Sequence, residues 1–466
     1  MLQAVDTKVA HSEDSGTDAI VALVKNLRWD ALDADVKHSA KRHFLDTLGV
    51  VIAGSSGELA GRAEAVLAKV RGAGCIPVPG RQRRADLLDA AYIAGTAGHG
   101  IELDDGYRQG SVHPGVVTVP AVLGLGYEAG VSGRAALEAV IIGYETVIAI
   151  ARACHPELRQ RGFHPTGATG VFGAAAASSR LLALPSQQVA NALGIAASSA
   201  AGLFAFINGG ADVKRLHAGH AARDGLQAAL QAQQGIEGPP QVLEARDGFA
   251  QAFAFGRNGN PRAVQLPPAV PFGITDCYVK PYACCRHIQP AVEALIELMN
   301  ENKLSVDDVR DVKVDTYSIA AEHAHTGWQD YASAQLSFPY IMALGMKHRW
   351  IKVEHFEDKT RLDPEMARLS GLVHVNATAE MDQLYPANRP ARVTINTGRG
   401  TFEKQAMEAL GAREVPLDDR GLALKFHDLV DPVLGQARAD KLLEQLWRLD
   451  EVDNIRGLLD QTVREP

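Results

Sequence analysis

Most of the first half of the chain consists of apolar, alanine-rich segments whose hydrophobic residues recur at helical spacing, from Thr17 to about Gly256. The sequence of this region shows no convincing β-type alternation. Aromatic residues make up only 6% of the chain, which favours closely packed helices over an all-β fold. Helices are predicted at Val36–Ala53, Ala85–Gly98, Gly133–Cys154, Val171–Leu184, Ser186–Ala201, His220–Gly235 and Val242–Gly256.

The pattern changes near Leu266, where the proline-rich sequence LPPAVPFG predicts an extended linker. Beyond it, alternating segments predict strands and the longer apolar segments predict helices. The predicted strands are Ile274–Val279, Val309–Tyr317, Leu372–Ala377, Ala391–Asn396 and Thr401–Met407, and the predicted helices are Ile288–Asn302 and Ala332–Met346.

Two domains follow from this division. Residues 1–267 are predicted to form a large all-α helical-bundle domain, with residues 1 to about 16 peripheral, and residues 268–411 a smaller α+β domain. Residues 412–466 return to helical patterns and are predicted to complete the first domain, which would then be discontinuous. Their predicted helices are Gly421–Gly435, Ala439–Leu449 and Val452–Val463.

Composition narrows the compartment and the partners. The 466 residues carry a net charge of −8, which argues against a nucleic-acid partner. The N-terminus has no apolar signal segment, and the apolar run Ala135–Ala153 contains Glu138 and Glu145, so we expect a buried helix and no membrane span. An odd number of cysteines, five, predicts no disulfide framework. We therefore expect a cytoplasmic protein.

The segment from His99 to Pro120 combines acidic residues with an apolar frame on both sides. Glu102, Asp104, Asp105 and His113 lie within it. Buried carboxylates are costly without partners, and this conflict between polarity and context is typical of a functional site. A solvated loop with helix-capping acids is the alternative interpretation.

Three further clusters carry polar chemistry. His164 precedes a predicted helix start in GFHPTGAT, where an anion could bind. Lys214, Arg215 and His217 lie together in DVKRLHAG, which suits a carboxylate clamp. A surface turn and a charged helix cap are the respective structural alternatives.

The last cluster, YVKPYACCRH, contains Lys280, Tyr282, Arg286 and His287. Its vicinal Cys284 and Cys285 lack zinc or iron–sulfur spacing, so we interpret them as buried apolar residues and predict no metal.

Several common motifs are missing from the sequence. There is no P-loop, no Rossmann fingerprint following a strand and no G-x-S-x-G elbow. The remaining groups, rich in His, Lys, Arg and Tyr, suit general acid–base chemistry on a small anionic polycarboxylate. A histidine, or a lysine of lowered pKa, would move the proton, and the cations would stabilise an enolate-like intermediate.

These clusters resemble those of the MmgE/PrpD family. The resemblance covers nearly the whole chain and rests on RHFLDTLGVVIAG, ELDDGYRQGSVHPG, GFHPTGATG, ADVKRLHAGHAARDG, KPYACCRHIQP and ASAQLSFPY. It implies a helical domain built from both chain ends, a smaller α+β domain, a site between them, a homodimer, and neither metal nor organic cofactor. The catalytic residues it implies are His113, His164, Lys214, Lys280 and Tyr340, with Asp104 and Asp105 from the acidic segment.

The family includes 2-methylcitrate dehydratases, cis-aconitate decarboxylases and an iminodisuccinate epimerase. Decarboxylase-like members have Asp where Glu102 aligns and Thr at the position of Gly106. From these departures we predict an epimerase acting on a carbon α to a carboxylate, with His113 or His164 and Lys280 or Lys214 as the two bases. Arg215, His217, Tyr282 and Arg286 are predicted to bind substrate, with Asp104 and Asp105. A dehydratase or decarboxylase is the alternative, and a non-catalytic carboxylate-binding protein is the third.

Overall fold

The structure is a computed structural model that describes residues 15–208 and 212–465. The predicted peripheral segment at the N-terminus lies almost wholly outside the described residues. Helices dominate up to residue 233, and the longer ones are α1 (Gly16–Asn26), α2 (Ala34–Ser55), α3 (Glu58–Val70), α4 (Leu87–Gly100), α5 (Gly115–Ala129), α6 (Gly133–Cys154), α7 (Pro165–Leu181), α8 (Ser186–Ser198) and α9 (Val213–Gln233).

Small residues let these helices approach closely. Helix α7 is buried over almost its whole length and packs against α5, α6 and α9. At Gly173 a Cβ atom would lie 2.8 Å from the carbonyl oxygen of Gly143 on α6, so the two backbones are nearly in contact. This dense packing of alanine and glycine makes a rigid platform for the loops at the helix ends.

The predicted helices are largely present, with two corrections in the first 300 residues. Val242–Gly256 forms only a short π-helical turn, Gln251–Phe255, because Gln241 and Asp247 adopt left-handed backbone conformations that interrupt a helix. The predicted strand Ile274–Val279 is instead a 3₁₀ turn, Gly273–Asp276, whose first amides donate to the buried Glu145 carboxylate. A two-stranded sheet, β1 (Ile76–Pro77) with β2 (Arg84–Ala85), lies where no strand was predicted.

The second part of the chain contains a four-stranded mixed sheet in the order β4-β3-β5-β6. The central strand β3 pairs in parallel with β4 and antiparallel with β5, and Thr397–Gly400 closes the β5–β6 hairpin as predicted. Alternate residues of β5 are buried, and the helix Gln289–Glu301 packs on β5 and β6. The strands are β3 (Val309–Thr316), β4 (Val373–Ala377), β5 (Ala391–Thr397) and β6 (Gly400–Ala406).

The remaining longer helices are α10 (Gln289–Glu301), α11 (Phe338–His348), α12 (Pro364–Ser370), α13 (Ala379–Leu384), α14 (Asp419–Leu434), α15 (Gln436–Trp447) and α16 (Arg456–Asp460). The predicted helix Ala332–Met346 is split into Tyr331–Ala334 and α11, because Pro339 favours the start of a new helix. The predicted helix Val452–Val463 is reduced to α16.

The C-terminal helices pack back onto the first part of the chain. Helix α14 lies against α2, where Lys425 pairs with Asp46 at 2.6 Å. Helix α16 lies against α5, with Ile455 over Gly126. None of the helices within residues 15–208 and 212–465 combines the length and the apolar character needed to cross a membrane.

Candidate active site

A cavity of about 490 Å³ lies where the ends of the N-terminal helices meet the segments that flank the mixed sheet. Its walls come from the loops around α4 and α5, the starts of α7 and α9, and three later segments near residues 280, 320 and 387. Of the residues predicted to be catalytic or to bind substrate, five line it, namely His113, His164, Lys214, Lys280 and Arg286. Glu102 and His287, from the same sequence clusters, line it as well.

The acidic loop after α4 is buried, not solvated. Glu102, Asp104 and Asp105 are each at most 2% exposed. Glu102 has a left-handed backbone, with φ of +54°, which is uncommon for a residue other than glycine. The surrounding contacts hold this costly conformation and turn the Glu102 carboxylate into the cavity wall.

The two lysines converge on the acids. The Lys214 ammonium group donates to the Glu102 carboxylate, and Lys280 Nζ lies 3.4 Å from Asp104 Oδ1 and 3.6 Å from Glu102 Oε2. Burial raises the pKa of the Glu102 carboxyl, but Lys214 and Lys280 outweigh burial and hold the pKa well below its usual range. Burial lowers the pKa of Lys280, yet Asp104 and Glu102 outweigh it and raise the pKa overall.

This charge arrangement corrects one prediction. A lysine serves as a base only when its pKa is lowered, and the pKa of Lys280 is raised. Lys280 therefore fits a permanent cation that binds a carboxylate or stabilises developing negative charge.

His113 has the opposite character. Its Nδ1 lies 2.6 Å from the carbonyl oxygen of Asp105, so Nδ1 carries the proton and Nε2 keeps its lone pair. Burial, together with the charge of Lys280, lowers the pKa of His113 to about 4, although Asp104 opposes the shift. The ring is therefore neutral at pH 7 and can accept a proton.

The Asp104 carboxylate lies between the His113 ring and a second imidazole, that of His99. Its Oδ2 accepts from His99 Nδ1 at 2.7 Å and lies 3.3 Å from His113 Nδ1. Burial raises the pKa of the Asp104 carboxyl, but His113, Lys280 and His99 outweigh burial and hold it well below its usual range. Asp104 thus orients the groups around it and does not itself reach the cavity.

His164 stands at the start of α7, on the other side of His99. The His99 and His164 rings stack at 5.6 Å, and His164 Nδ1 lies 3.0 Å from Nδ1 of His217, so one ring donates to the other. Burial lowers the pKa of both His164 and His217. Only His164 lines the cavity; His217 supports it from behind.

Two domain models of one protein family match this chain. The MmgE/PrpD N-terminal domain matches residues 18–261, and the MmgE/PrpD C-terminal domain matches residues 282–449. This chain belongs to the MmgE/PrpD family.

Individual relatives bear on the reaction. The chain is 26% identical to a cis-aconitate decarboxylase from Aspergillus terreus, over 97% of this chain and 96% of that protein. It is 26% identical to the cis-aconitate decarboxylase-like protein oryM from Aspergillus oryzae, over 96% of this chain and 97% of that protein. It is 30% identical to the cis-aconitate decarboxylase from Homo sapiens, over 51% of this chain and 50% of that protein. These names support the lyase alternative more than the predicted epimerase.

Several residues predicted to belong to the site lie outside the cavity. Tyr340 is fully buried and donates to the carbonyl of His355 at 2.6 Å, and Tyr282 donates to Glu293 at 2.9 Å. Arg215 donates to the Gly100 carbonyl at 3.1 Å. These contacts are structural, so the geometry gives no support to direct substrate contact by Tyr340, Tyr282 or Arg215.

Asp105 is also structural. Its carboxylate accepts from the Gly115 amide at 3.1 Å and from the Tyr144 hydroxyl at 2.7 Å, and lies 2.9 Å from His43 Nδ1. With His43 and Cys277 it forms the one trio within the described chain whose ligand atoms, all within 4.8 Å of one another, could hold a metal. Because both Asp105 oxygens already accept hydrogen bonds, the trio fits a structural polar cluster better than a metal centre.

Arg286 lines the cavity, yet most of its donors are engaged. It donates to the Gln289 side chain at 2.7 Å and to the carbonyls of Leu410 and Ala409 at 2.9 Å. Burial, together with Arg389, lowers its pKa to about 10. Arg286 therefore ties the 280s segment to residues 409–410 while contributing positive charge.

Two arginines and the imidazole of His323 are among the cavity-lining residues that sequence reasoning missed. Arg389 is 4% exposed, and no acceptor for its guanidinium lies among the residues that the structure describes. Arg159 is only partly buried, and its guanidinium likewise has no acceptor among the described residues; it lies 3.3 Å from the centre of the Phe204 ring. His323 faces them from a turn after β3. No local motif surrounds any of the three, so only the fold could reveal them.

Proposed function

We propose that this protein is a lyase that decarboxylates an unsaturated tricarboxylate of the cis-aconitate type. One observation carries the proposal. One cavity is lined by a neutral histidine, His113, by a fixed lysine, Lys280, and by an arginine, Arg389, that lacks a protein hydrogen-bond acceptor. Such a site binds several carboxylates and moves one proton. The names of the relatives favour this reaction.

The reaction needs one bond cleavage and one proton transfer. The bond between a methylene carbon and its carboxylate breaks, and its electron pair forms a new carbon–carbon double bond as carbon dioxide leaves. The pair of the original double bond shifts to the carbon beside a second carboxylate, where it takes up a proton. Lys280 and Lys214 stabilise the negative charge that develops on that carboxylate.

His113 is the proton donor in this scheme. The free ring is neutral, but a bound trianion adds negative charge beside it and favours the protonated form. The hydrogen bond from Nδ1 to the Asp105 carbonyl fixes the ring, so Nε2 delivers the proton. His164, at the start of α7, adds a further imidazole to the lining of the cavity and positions the substrate.

The direct test follows carbon dioxide and vinyl protons by NMR during incubation of the purified protein with cis-aconitate. We expect one carbon dioxide and one methylene-bearing dicarboxylate per substrate consumed. The variant His113→Gln should lose about 100-fold or more in turnover while keeping its fold. Unchanged cis-aconitate, together with dehydration of 2-methylcitrate, would overturn the decarboxylase and favour the dehydratase alternative.

The predicted epimerase, with iminodisuccinate as its model substrate, remains the second candidate because of Gly106. A Cβ atom there would lie 2.3 Å from the Tyr278 hydroxyl, so the tyrosine occupies the space of a side chain. The threonine that resemblance places here in decarboxylase-like members would clash, which indicates a pocket of different shape. Deuterium uptake from D₂O at the α-carbon, without release of carbon dioxide, would favour the epimerase.

The proposal includes the domain division at residues 267 and 411, a homodimer, and a cytoplasmic location. The packing of α14 on α2 supports the return of the C-terminal helices to the first domain. Light scattering coupled to size-exclusion chromatography tests the assembly: a mass twice that of the 49.8 kDa chain is expected, and a monomer would overturn it.

A further inference from the structure

The two vicinal cysteines have different surroundings. Cys285 lies on the cavity wall, and its Sγ is 3.6 Å from Nε2 of His323. Cys284 is fully buried and faces Gln289, whose amide nitrogen is 3.9 Å from its sulfur. The proposed reaction uses neither sulfur, so the Cys285–His323 contact needs its own explanation.

Other charges face Cys285 across the cavity. Glu102 opposes a thiolate there, whereas Lys214 favours one. Burial raises the pKa of the Cys285 thiol, but the His323 imidazole outweighs burial and lowers the pKa overall. Burial, together with the neighbouring Cys285, raises the pKa of Cys284 well above its usual range. The two adjacent thiols therefore differ in reactivity because of their surroundings.

His323 is faced by a small set of charged and titratable groups. Burial lowers its pKa, but the Cys285 sulfur outweighs burial and raises it overall, with Lys214 opposing and Glu322 assisting. The His287 ring stacks on it at 6.4 Å. Cys285 and His323 thus favour the thiolate and the imidazolium together.

A separate feature indicates which ligands reach the sulfur. Arg389 lines the same cavity, is buried, and finds no acceptor for its guanidinium among the described side chains and carbonyls. Its only described cation–π contact is with the Tyr278 ring, whose centre is 5.4 Å away. A buried guanidinium without a hydrogen-bond acceptor is costly, and a carboxylate is its usual complement. The cavity that Cys285 lines is therefore suited to bind small carboxylates.

We propose that Cys285 and His323 form a nucleophilic pair that is a modification site for small carboxylate-bearing alkylating agents. In the probe reaction with iodoacetate, the sulfur lone pair forms a bond to the methylene carbon, the carbon–iodine bond breaks, and iodide leaves with its electron pair. The proton of the original thiol stays on His323. No oxidant or additional reactant is required.

The test maps alkylation by mass spectrometry on the full-length protein, with iodoacetate and with neutral iodoacetamide at equal concentration. At pH 6.5 an ordinary free cysteine is about 1% thiolate, so a paired thiolate should react at least tenfold faster than the exposed Cys75. We expect label on Cys285, none on Cys284, and iodoacetate faster than iodoacetamide. A saturated tricarboxylate, tricarballylate, should protect Cys285.

Two variants separate the components of the site. His323→Gln should slow labelling of Cys285 about tenfold at pH 6.5 and leave Cys75 unchanged, since it removes the proton acceptor. Arg389→Gln should abolish the preference for iodoacetate and keep reactivity toward iodoacetamide. Circular dichroism confirms that each variant is folded, and the wild-type pH profile of labelling gives a test that needs no substitution.

Labelling of Cys285 no faster than Cys75 at pH 6.5, or equal labelling of Cys284 and Cys285, would overturn the proposal. Alkylation is read by mass, so the result does not depend on turnover. If Cys285 is modified but cis-aconitate is inert, the proposed function fails and the nucleophilic pair stands.

Discussion

The cavity is lined by two sets of charged groups, which differ in whether their charges are paired within the protein. On one side, which we call the paired cluster, Glu102, Asp104, Lys214 and Lys280 satisfy one another within a buried network. On the other, the open cationic wall, Arg159 and Arg389 have no acceptor within the described parts of the chain.

This difference indicates that the paired cluster has a structural role and that the open cationic wall binds the ligand. The paired cluster resembles a structural core that also lines a site, and removing one member leaves an uncompensated buried charge. The open cationic wall is complementary to a ligand that the protein itself does not supply. Substitutions should therefore damage folding and turnover on the first side, and mainly binding on the second.

The largest effect is expected for Lys280→Met. The change leaves Asp104 and Glu102 buried without their shared cation, which should lower the free energy of unfolding by about 3–5 kcal/mol. Turnover should fall by about 10³-fold or more because the developing carboxylate charge loses its stabilising cation. Urea denaturation and a decarboxylation assay measure both. The partly exposed pair of Lys347 with Asp363 provides the control, because Lys347→Met should change stability by less than about 1 kcal/mol. Wild-type stability of Lys280→Met would show that the cluster is not held by this charge.

The buried ion pair of Lys425 with Asp46 tests whether the network of paired charges extends beyond the paired cluster. The Nζ atom of Lys425 donates to the Leu103 carbonyl at 3.0 Å and to Asp46 at 2.6 Å, and both side chains are buried. Lys425→Met should cost about 3 kcal/mol of stability because Asp46 is left unpaired.

The double variant Asp46→Asn with Lys425→Met should recover part of that loss, since no lone charge remains. Denaturation of the two single variants and the double variant completes the cycle. Simple additivity of the two single effects would argue against a coupled pair.

A pH dependence follows from His113. Its pKa is about 4 in the folded protein against an ordinary value of 6.5, so the unfolded chain binds more protons between these limits. Stability must then fall as pH drops from 6.5 toward 4, and His113 alone contributes about 2 kcal/mol of that loss at pH 5.

Urea denaturation at pH 7 and pH 5 measures the loss. The variant His113→Gln should show a smaller loss, whereas His374→Gln, on an exposed strand position, should behave like the wild type. An equal loss in His113→Gln and wild type would assign the dependence to the other buried histidines.

Local signals explain what the sequence could predict. The bounds of Gly133–Cys154 are those predicted, because Ser132 caps the first turn and the apolar spacing continues without interruption. The pattern over Val242–Gly256 was misleading, since its helical spacing does not reveal the left-handed backbone at Asp247.

Part of the candidate site can also be predicted from local sequence signals. His113, His164, Lys214 and Lys280 lie in compact polar motifs, and all four line the cavity. Arg389 has no such neighbourhood in sequence and joins the cavity only through tertiary packing. The sequence around Cys285 indicates only a buried apolar residue, because its partner, His323, is 38 residues away.

The smallest effect on stability is expected on the open cationic wall. Arg389→Gln removes a buried cation that has no hydrogen-bond acceptor among the described residues but lies 5.4 Å from the centre of the Tyr278 ring. The relieved burial of the charge and the lost cation–π contact oppose each other, so the free energy of unfolding should change by less than about 1 kcal/mol. The apparent affinity for a tricarboxylate should fall about tenfold, because one charge-assisted contact of about 1.4 kcal/mol is lost. Arg392→Gln, three residues along the chain and paired with Glu380 on the surface, should leave binding unchanged. Calorimetric titration with tricarballylate compares the variants. A loss of stability as large as that of Lys280→Met, with unaltered affinity, would show that Arg389 belongs to the structural side of the cavity and that the two sides do not differ.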